Sequence, residues 1–227
     1  MATTFQRARS DEQRAIRRQK ILDTAAAMLE EMPVSELSLN ELSRRVGLAK
    51  SNVLRYFDSR EAVLLELLDA LTGDWLDHVA SELPAAVSTR AGFERRAEQV
   101  AATLARSLAE RPVLCDLVSA QAGVLEHNVP TDAIMSFKRR GLGHASTLVE
   151  LVRQALPEFS QDQAWRFVLA AFLLISSLWA HATPPQAVLD AYEEIPELRT
   201  MRLDFATTLE DSLVTAAVGL HARSRRR

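Results

Sequence analysis

The chain has 227 residues, of which 48% are hydrophobic and 25% are charged. This composition is typical of a soluble globular protein and argues against disorder and against a fibrous repeat. A single cysteine, Cys115, excludes an internal disulfide framework and a zinc cluster built on cysteines. The net charge of −3 is unevenly distributed, with +2 in residues 1–62 and −5 in residues 63–227, which indicates two parts with different partners.

Two features argue against export and membrane insertion. Residues 1–20 are polar and lack the apolar core of a secretory signal. The longest apolar run, residues 167–180, contains Ser176 and Ser177 and is shorter than the roughly 20 residues that span a bilayer. We therefore expect a cytoplasmic protein without a membrane partner, in which this run forms a buried core helix.

The prolines divide the chain into segments with helical periodicity and almost no alternating strand pattern. This pattern predicts an all-α fold. Because proline disrupts a helix interior, each proline is expected at or just outside a helix end. The prolines are Pro33, Pro84, Pro112, Pro130, Pro157, Pro184, Pro185 and Pro196.

The first predicted helix spans residues 11–32. Ser10 and Gln13 form a capping-box pattern at its start. The helix presents one apolar face, whose residues follow the helical period. They are Ile21, Ala25, Met28, Leu29 and Met32.

Two short helices come next. Ser38 and Glu41 form a second capping-box pattern, and Gly47 is placed to end this helix in the left-handed conformation. A third helix is predicted over residues 49–57. Two short helices joined by a turn that contains glycine are the layout of a helix-turn-helix.

A long fourth helix is predicted over residues 60–83, with Asp58 or Ser59 as its cap. Its apolar stripe consists of Leu64, Leu68, Leu71, Trp75 and Val79. Further helices are predicted over residues 89–109, 112–127, 130–155, 161–183 and 197–222, with a short helical turn near 186–193.

The third helix separates apolar from polar side chains. At about 100° per residue, Val53 and Phe57 point one way, whereas Ser51, Asn52 and Arg55 point roughly the other way. The polar face suits base edges in a major groove, because these side chains carry paired donors and acceptors. From the pattern alone, a solvated face of an ordinary helical pair is an equal alternative.

Three segments of the chain resemble the TetR family of transcriptional regulators. They are RRQKILDTAAAML at residues 17–29, SLNELSRRVGL at residues 38–48 and KSNVLRYFDSREAVL at residues 50–64. The resemblance covers residues 14–70. It implies a three-helix DNA-binding head, a third helix in the major groove, and a fourth helix that leads to a helical domain for dimerisation and effector binding.

The resemblance implies a DNA-binding domain over residues 10–59 and an effector-binding and dimerisation domain over residues 60–227. Two positions depart from the family: Leu54 stands where a tyrosine is usual, and Ala49 where serine or threonine is frequent. The expected partner is a near-palindromic operator in double-stranded DNA. The residues predicted to contact it are Ser38, Arg44, Lys50, Ser51, Asn52, Arg55, Tyr56 and Arg60.

The predicted helix over residues 161–183 is apolar nearly all round, so it requires cover on more than one side. One side can pack within the chain, and the resemblance implies that the last two helices form a dimeric four-helix bundle. A fully intramolecular core helix is the alternative. The predicted interface consists of Phe172, Ile175, Leu209, Leu213 and Ala217.

Isolated polar residues interrupt the apolar surroundings of the fifth to seventh predicted helices. In this family such residues line a ligand pocket, although each is more often an ordinary core or surface residue. A mostly apolar cavity with a few polar contacts suits a small, mainly apolar effector. The predicted lining is Trp75, Cys115, Gln121, His127, Phe137, His144 and Trp179.

An enzymatic role is the alternative that the motifs support least. The five histidines show no His-x-x-x-His or Glu-x-x-His spacing, and no nucleophile elbow, P-loop or dinucleotide motif occurs. We therefore expect no catalytic site, no metal site and no cofactor. The expected function is a repressor that a small ligand releases from DNA, with a non-regulatory helical homodimer or a small-molecule enzyme as alternatives.

Overall fold

The computed structural model describes the backbone of residues 2–224 and the side chains of residues 12–223. In this part of the chain every regular element is helical, so the predicted all-α class is confirmed. The α-helices are α1 (Ala2–Glu31), α2 (Leu39–Val46), α3 (Lys50–Val53), α4 (Arg60–Ala86), α5 (Phe93–Ala109), α6 (Pro112–Ala120), α7 (Thr131–Ala155), α8 (Gln161–Ala182), α9 (Gln186–Glu194) and α10 (Phe205–Ser224). A π-helical segment, Gln121–Leu125, follows α6, and a 3₁₀-helix, Pro196–Met201, follows α9.

The start of α1 differs from the prediction. The helix begins at Ala2 and continues through Ser10, so the predicted capping box at Ser10 is wrong. The preceding residues contain neither proline nor glycine, and nothing in them breaks the helical backbone.

The third predicted helix is also shorter than expected. Regular α-helix ends at Val53, and the next residues continue as a tight turn in which the Phe57 amide donates to the Val53 carbonyl at 3.1 Å. Short turns of this kind often complete a helix end. Residues 49–57 therefore still separate apolar from polar side chains as predicted, although regular α-helix does not extend over the whole segment.

Seven prolines lie at helix ends or between helices, but Pro84 lies inside α4. Only two helical residues follow it, so its missing N–H removes one hydrogen bond close to the end of the helix. Proline is thus tolerated inside the last turn of α4.

The last predicted helix, residues 197–222, is two elements. A 3₁₀-helix ends at Met201, and Arg202 is extended. Asp204 then begins α10, because its carboxylate accepts a hydrogen bond from the Thr207 amide at 2.9 Å. Hydrogen bonding from the Thr207 side chain, and then from the Thr207 amide, lowers the pKa of Asp204 below its usual value. Aspartate is a favoured residue at the position before a helix, where it accepts from the amide three residues later. Asp204 is therefore the sequence signal for the start of α10.

The chain forms two compact units. The first contains residues up to Ala70 together with Ala120–Phe137, and the second contains Leu71–Ser119 and the residues from Lys138 onward. In the first unit, α2 packs against α1 and α3 over fully buried side chains. These include Ile21, Ala25, Met28, Leu37, Leu42, Val53 and Leu64.

In the second unit, α10 packs against α5 and α8. His221 of α10 stacks on the Phe93 ring with the centroids 4.0 Å apart. Phe93 belongs to an aromatic cluster in which the Phe93 and Phe159 rings lie 5.6 Å apart and the Phe159 and Phe167 rings 6.2 Å apart. Offset and tilted aromatic pairs of this kind add to the stability that burial supplies.

Packing within one chain buries four of the five predicted interface residues. Ile175 is buried, and Leu209, Leu213 and Ala217 have at most 1% of their surface exposed within one chain. A side chain without exposed surface cannot contribute area to a partner. Phe172 differs, because 38% of its surface is exposed.

One face of α8 is apolar and exposed. Leu169 and Leu173 are each 57% exposed, and with Phe172 they form a stripe at positions i, i+3 and i+4. The expected fully buried core helix is therefore buried on one side only. In residues 2–224, α8 is the one helix with the length and apolar character of a membrane span, a test that core helices of soluble proteins also pass.

Candidate nucleic-acid interface

The turn between α2 and α3 is fixed by both ends of α2. At its start, the Ser38 hydroxyl accepts from the Glu41 amide at 3.2 Å. At its end, Gly47 adopts φ 76° and ψ 32°, and the amides of Gly47 and Leu48 donate to the carbonyls of Arg44 and Ser43. This arrangement satisfies the last carbonyls of the helix and needs the left-handed conformation that glycine adopts without strain.

In a complete capping box the Glu41 carboxylate would accept from the Ser38 amide. Here the carboxylate forms ion pairs instead. The Glu41 carboxylate accepts from Arg44 at 2.6 and 2.8 Å and from Arg45 at 2.9 Å. The hydrogen bonds from Arg44 and then Arg45 lower the pKa of Glu41 to about 2. Arg45 also bonds Glu31, which joins α2 to the end of α1.

The segment over α3 presents the two predicted sides. Val53 and Phe57 are buried, whereas Ser51, Asn52 and Arg55 are exposed. The polar side chains therefore stand clear of the protein surface, where a major groove could receive them.

Two further positions were in question from the sequence. Ala49 precedes α3 without a side-chain hydrogen bond, as its lack of a polar side chain requires. Leu54 is 39% exposed, so it is not a core residue of the head. An exposed leucine beside the polar side can contact a thymine methyl group.

The predicted phosphate contacts fall into two groups. Lys50 is exposed and forms no ion pair within the described residues. Arg60 is instead part-buried and donates to the Leu37 carbonyl and to Glu61, each at 3.0 Å. The Arg60 guanidinium thereby holds the loop between α1 and α2 against the start of α4.

Residues 49–57, which contain α3, are called the recognition segment below. Tyr56 lies near the end of this segment, where two arginines of α1 reach it. Arg18 donates to the Tyr56 carbonyl, and Arg17 donates to the Tyr56 hydroxyl at 3.4 Å. Arg18 also bonds the Glu66 carboxylate with two N–H groups and lies 4.1 Å from the centroid of the Phe57 ring.

Sequence reasoning did not find Arg18, although a signal for it existed. Arg18 lies three, four and seven residues before Ile21, Leu22 and Ala25, on the apolar face of α1. A cation on such a face predicts a carboxylate and other acceptors close by.

The residues predicted to line a ligand pocket divide between the two units. Gln121, His127 and Phe137 belong to the first, where Gln121 donates to Glu126 at 2.7 Å, His127 is exposed and Phe137 is buried. All three had been predicted to belong to the effector-binding and dimerisation domain, residues 60–227.

The other four belong to the second unit, and two of them are engaged in its core. The Trp75 indole N–H donates to the Ser107 hydroxyl at 3.0 Å, and the Cys115 thiol donates to the Leu108 carbonyl at 3.3 Å.

His144 and Trp179 are half-buried. Trp179 packs edge-on against Phe205 with the ring centroids 5.0 Å apart. His144 lies beside Gly73, where an added Cβ would be 3.6 Å from its ring. Among the described residues, no group of three or more histidine, cysteine or carboxylate side chains could hold a metal ion.

Two family models match the chain. The model described as "Bacterial regulatory proteins, tetR family" matches residues 21–67, and that described as "Tetracyclin repressor-like, C-terminal domain" matches residues 69–224. The chain belongs to the TetR family. The resemblance seen in the sequence is thereby confirmed, and the matched family is one of bacterial regulatory proteins. The chain's matched TetR relatives are regulators and not enzymes.

A curated relative is similar to part of this TetR-family chain. The HTH-type transcriptional regulator EthR of Mycobacterium tuberculosis is 43% identical over 49 residues, which cover 22% of this chain and 23% of EthR. The chain thus matches less than a quarter of the length of this relative.

Solved structures share the fold at low identity. A TetR transcriptional regulator from Rhodococcus sp. RHA1 is 14% identical, with 91% of this chain and 95% of that chain covered and a TM-score of 0.57. The regulator FadR of Bacillus subtilis, solved in complex with stearoyl-CoA, is 13% identical, with coverage of 88% and 97% and a TM-score of 0.53.

Proposed function

We propose that the protein is a repressor that binds a near-palindromic operator as a homodimer and leaves it when a small, mainly apolar ligand binds. The observation that carries the DNA-binding part is the exposed polar side of the α3 segment opposite buried Val53 and Phe57. In this proposal residues 10–59 form the DNA-binding domain and residues 60–227 the effector-binding and dimerisation domain. The site of action is the cytoplasm.

The contacts on DNA are of two kinds. Ser51, Asn52 and Arg55 read base edges in the major groove, because they are exposed on one side of the recognition segment. Lys50 and the Tyr56 hydroxyl bind phosphates, which fix the register without reading sequence.

Ser38, which caps the start of α2, and Arg44 within α2 complete the phosphate contacts. Ser38 accepts a hydrogen bond at the helix start and keeps its own hydroxyl hydrogen to donate. Arg44 uses its Nε and Nη2 groups on Glu41, so Nη1 is left to face a phosphate. Arg60 is assigned to the fold of the head instead.

Dimerisation uses the exposed stripe of α8, which consists of Leu169, Phe172 and Leu173. Three large apolar side chains on one helix face form a patch that a second copy would cover. Two heads on one side of a duplex would then contact half-sites about one helical turn, roughly 34–36 Å, apart.

Ligand release is a shift between two populations. The ligand must bind more tightly to a form in which the heads no longer match the half-site spacing, and a coupling of about 1–3 kcal/mol lowers DNA affinity roughly 5- to 150-fold. A mainly apolar ligand is supported by the stearoyl-CoA complex of the B. subtilis FadR structure, which shares this fold. The half-buried His144 and Trp179 are the candidate contacts in the second unit.

The DNA-binding proposal is tested by selecting bound duplexes from a random pool at low and moderate salt. We expect an enriched inverted repeat, and we expect Asn52→Ala and Arg55→Ala to change the preferred bases at a cost of about 1–3 kcal/mol per lost contact. Arg95→Ala, which removes an exposed arginine of α5, is the control and should select the wild-type repeat. A pool without an inverted repeat would refute the proposed operator.

The release proposal is tested separately with a thermal-shift screen of fatty acids, acyl-CoA thioesters and other apolar metabolites. Each compound that raises the melting temperature is then titrated into the complex with the selected duplex. We expect DNA affinity to fall, and the same duplex to weaken ligand binding by the same factor. Compounds that stabilise the protein and leave DNA affinity unchanged would exclude the release mechanism.

A further inference from the structure

Arg17 and Tyr56 form a pair of hydrogen-bond donors on the surface of the DNA-binding head. The Arg17 Nη1 group donates to the Tyr56 hydroxyl oxygen at 3.4 Å, and this contact is exposed. Arginine has no acceptor, so the hydroxyl must act as the acceptor in this bond. The Tyr56 hydroxyl hydrogen therefore remains available, as do the other N–H groups of Arg17.

Arg18, which follows Arg17 in α1, fixes the position of the Tyr56 backbone. Arg18 donates to the Tyr56 carbonyl and lies over the Phe57 ring, while two of its N–H groups bond Glu66. Two consecutive arginines thus reach opposite ends of one residue. Arg18 fixes the Tyr56 backbone, and Arg17 meets the hydroxyl at the tip of the side chain.

No carboxylate within the described part of the chain pairs with Arg17. In the described part of the first unit most arginines bond a carboxylate: Arg18 bonds Glu66, Arg44 bonds Glu41, Arg45 bonds Glu31, and Arg60 bonds Glu61. Among the residues whose side chains are described, Arg17 has no such partner. The residues three positions before and after it on α1 are Arg14 and Lys20, which are also cations and are exposed. Like charges at this spacing repel each other, and an anion relieves that repulsion.

We propose that Arg17 and the Tyr56 hydroxyl together bind one phosphate of the DNA backbone. Arg17 supplies the positive charge and Tyr56 a neutral donor to the same phosphate group, which adds α1 to the DNA-contacting surface. Charge-assisted bonds from a guanidinium to phosphate oxygens are among the strongest that proteins make. The inference rests on the proposed recognition surface of α3, because that surface must face DNA for Tyr56 to reach the backbone.

The test measures DNA affinity against salt concentration for the full-length protein. Two labelled duplexes are used, one with the selected inverted repeat and one with a scrambled sequence of the same length. We expect Arg17→Ala to lower the slope of log K against log salt by about 0.9 per head, or about 1.8 per dimer. Affinity should fall on the order of ten-fold or more at 0.1 M salt on both duplexes alike. Arg17→Gln should act in the same way, because it keeps a polar side chain and removes the charge.

Three further variants separate charge from hydrogen bonding. Arg17→Lys should keep the wild-type slope. Tyr56→Phe should weaken binding to both duplexes without changing the slope, since it removes a neutral donor. The double variant Arg17→Ala with Tyr56→Phe should lose less affinity than the product of the single losses, because both groups bind the same phosphate.

Arg95→Ala is the control for loss of net charge, and it should keep the wild-type slope. A wild-type slope in both Arg17→Ala and Arg17→Gln would overturn the inference, as would an equal decrease in Arg95→Ala. If the wild-type protein selects no inverted repeat, the proposed operator fails. The scrambled duplex still reports the slope, so the two failures are distinguishable.

Discussion

Arg18 of α1 and Glu66 of α4 form an ion pair closed by two hydrogen bonds, of which the one from Nε to Oε1 is 2.6 Å long. The same guanidinium bonds the Tyr56 carbonyl and lies 4.1 Å from the Phe57 ring centroid. The first part of α4 belongs to the first compact unit and the rest to the second, so Arg18 links Tyr56 to the part of α4 that lies in the first unit. A displacement of Glu66 would act on Tyr56 through one side chain.

Removal of Arg18 is expected to destabilise the head. The two partners are about a third exposed, so the ion pair alone contributes only about 0–1 kcal/mol. Arg18→Met also removes the bond to the Tyr56 carbonyl and the contact with the Phe57 ring, for a total of about 1–2 kcal/mol. Thermal unfolding followed by circular dichroism measures the loss. Arg14→Met, at an exposed position of the same helix, is the control, and an equal decrease in its melting temperature would contradict this role of Arg18.

Arg60 and Lys50 are expected to differ although both were predicted to contact phosphates. Arg60→Ala removes the hydrogen bond to the Leu37 carbonyl and should lower stability by about 1–2 kcal/mol, with the salt dependence of DNA binding unchanged. Lys50→Ala should leave stability unchanged and lower the salt slope by about 0.9 per head. Melting curves and salt titrations on the scrambled duplex measure both effects. The reverse pattern would restore Arg60 to the DNA interface.

The local features of the head could be predicted from the sequence. The Ser38 cap, the left-handed Gly47 and the buried Val53 each depend on residues within one turn of the chain. Residue type and spacing therefore suffice to identify them.

The partners of Arg18 and Arg60 could not be predicted in the same way. Glu66 lies 48 residues from Arg18, and the Leu37 carbonyl lies 23 residues from Arg60. A helical wheel shows that a face is buried but not which element covers it. For the same reason Leu209 and Leu213 were assigned to a partner chain, whereas α5 and α8 of their own chain cover them.

The corrected dimer interface gives a sharper test than a core residue does. Leu173→Glu introduces a charge on the exposed face of α8, so the monomer should fold while the dimer dissociates. Sedimentation should show a monomer with unchanged helicity, together with weakened binding to the inverted repeat. Leu213→Ala, by contrast, should cost about 2–5 kcal/mol of stability, because it empties space in the core.

A matched control for this test lies on α7. Leu142 is 60% exposed, so Leu142→Glu places the same charge on a similarly exposed leucine. Its dimer should stay intact. A Leu173→Glu protein that sediments as a dimer, or a Leu142→Glu protein that does not, would assign the interface to another surface.

Cys115 is expected to be an inert core thiol and not a redox sensor. Burial, and then the neighbouring Asp116 carboxylate, raise the pKa of the Cys115 thiol to about 12, against an opposing effect of Arg111. Only the thiolate is the nucleophile, so the folded protein should react with iodoacetamide at pH 8 no faster than it unfolds. Alkylation followed by mass spectrometry, with and without denaturant, measures this, and rapid modification of the folded protein would contradict it.

The same pKa shift predicts how stability depends on pH. The thiol ionises near 9 in the unfolded chain and near 12 in the folded one, so the folded state holds the proton more tightly. Its contribution to stability is complete below pH 9 and declines by about 1.4 kcal/mol per pH unit between 9 and 12. Cys115→Ala has no thiol to ionise, so the stability of this variant relative to wild type should rise between pH 9 and 12. Lysines and tyrosines titrate in both proteins alike, and their effect therefore cancels in the comparison. Urea unfolding of the two proteins at several alkaline pH values measures the difference, and parallel curves would show that the thiol is not held protonated by burial.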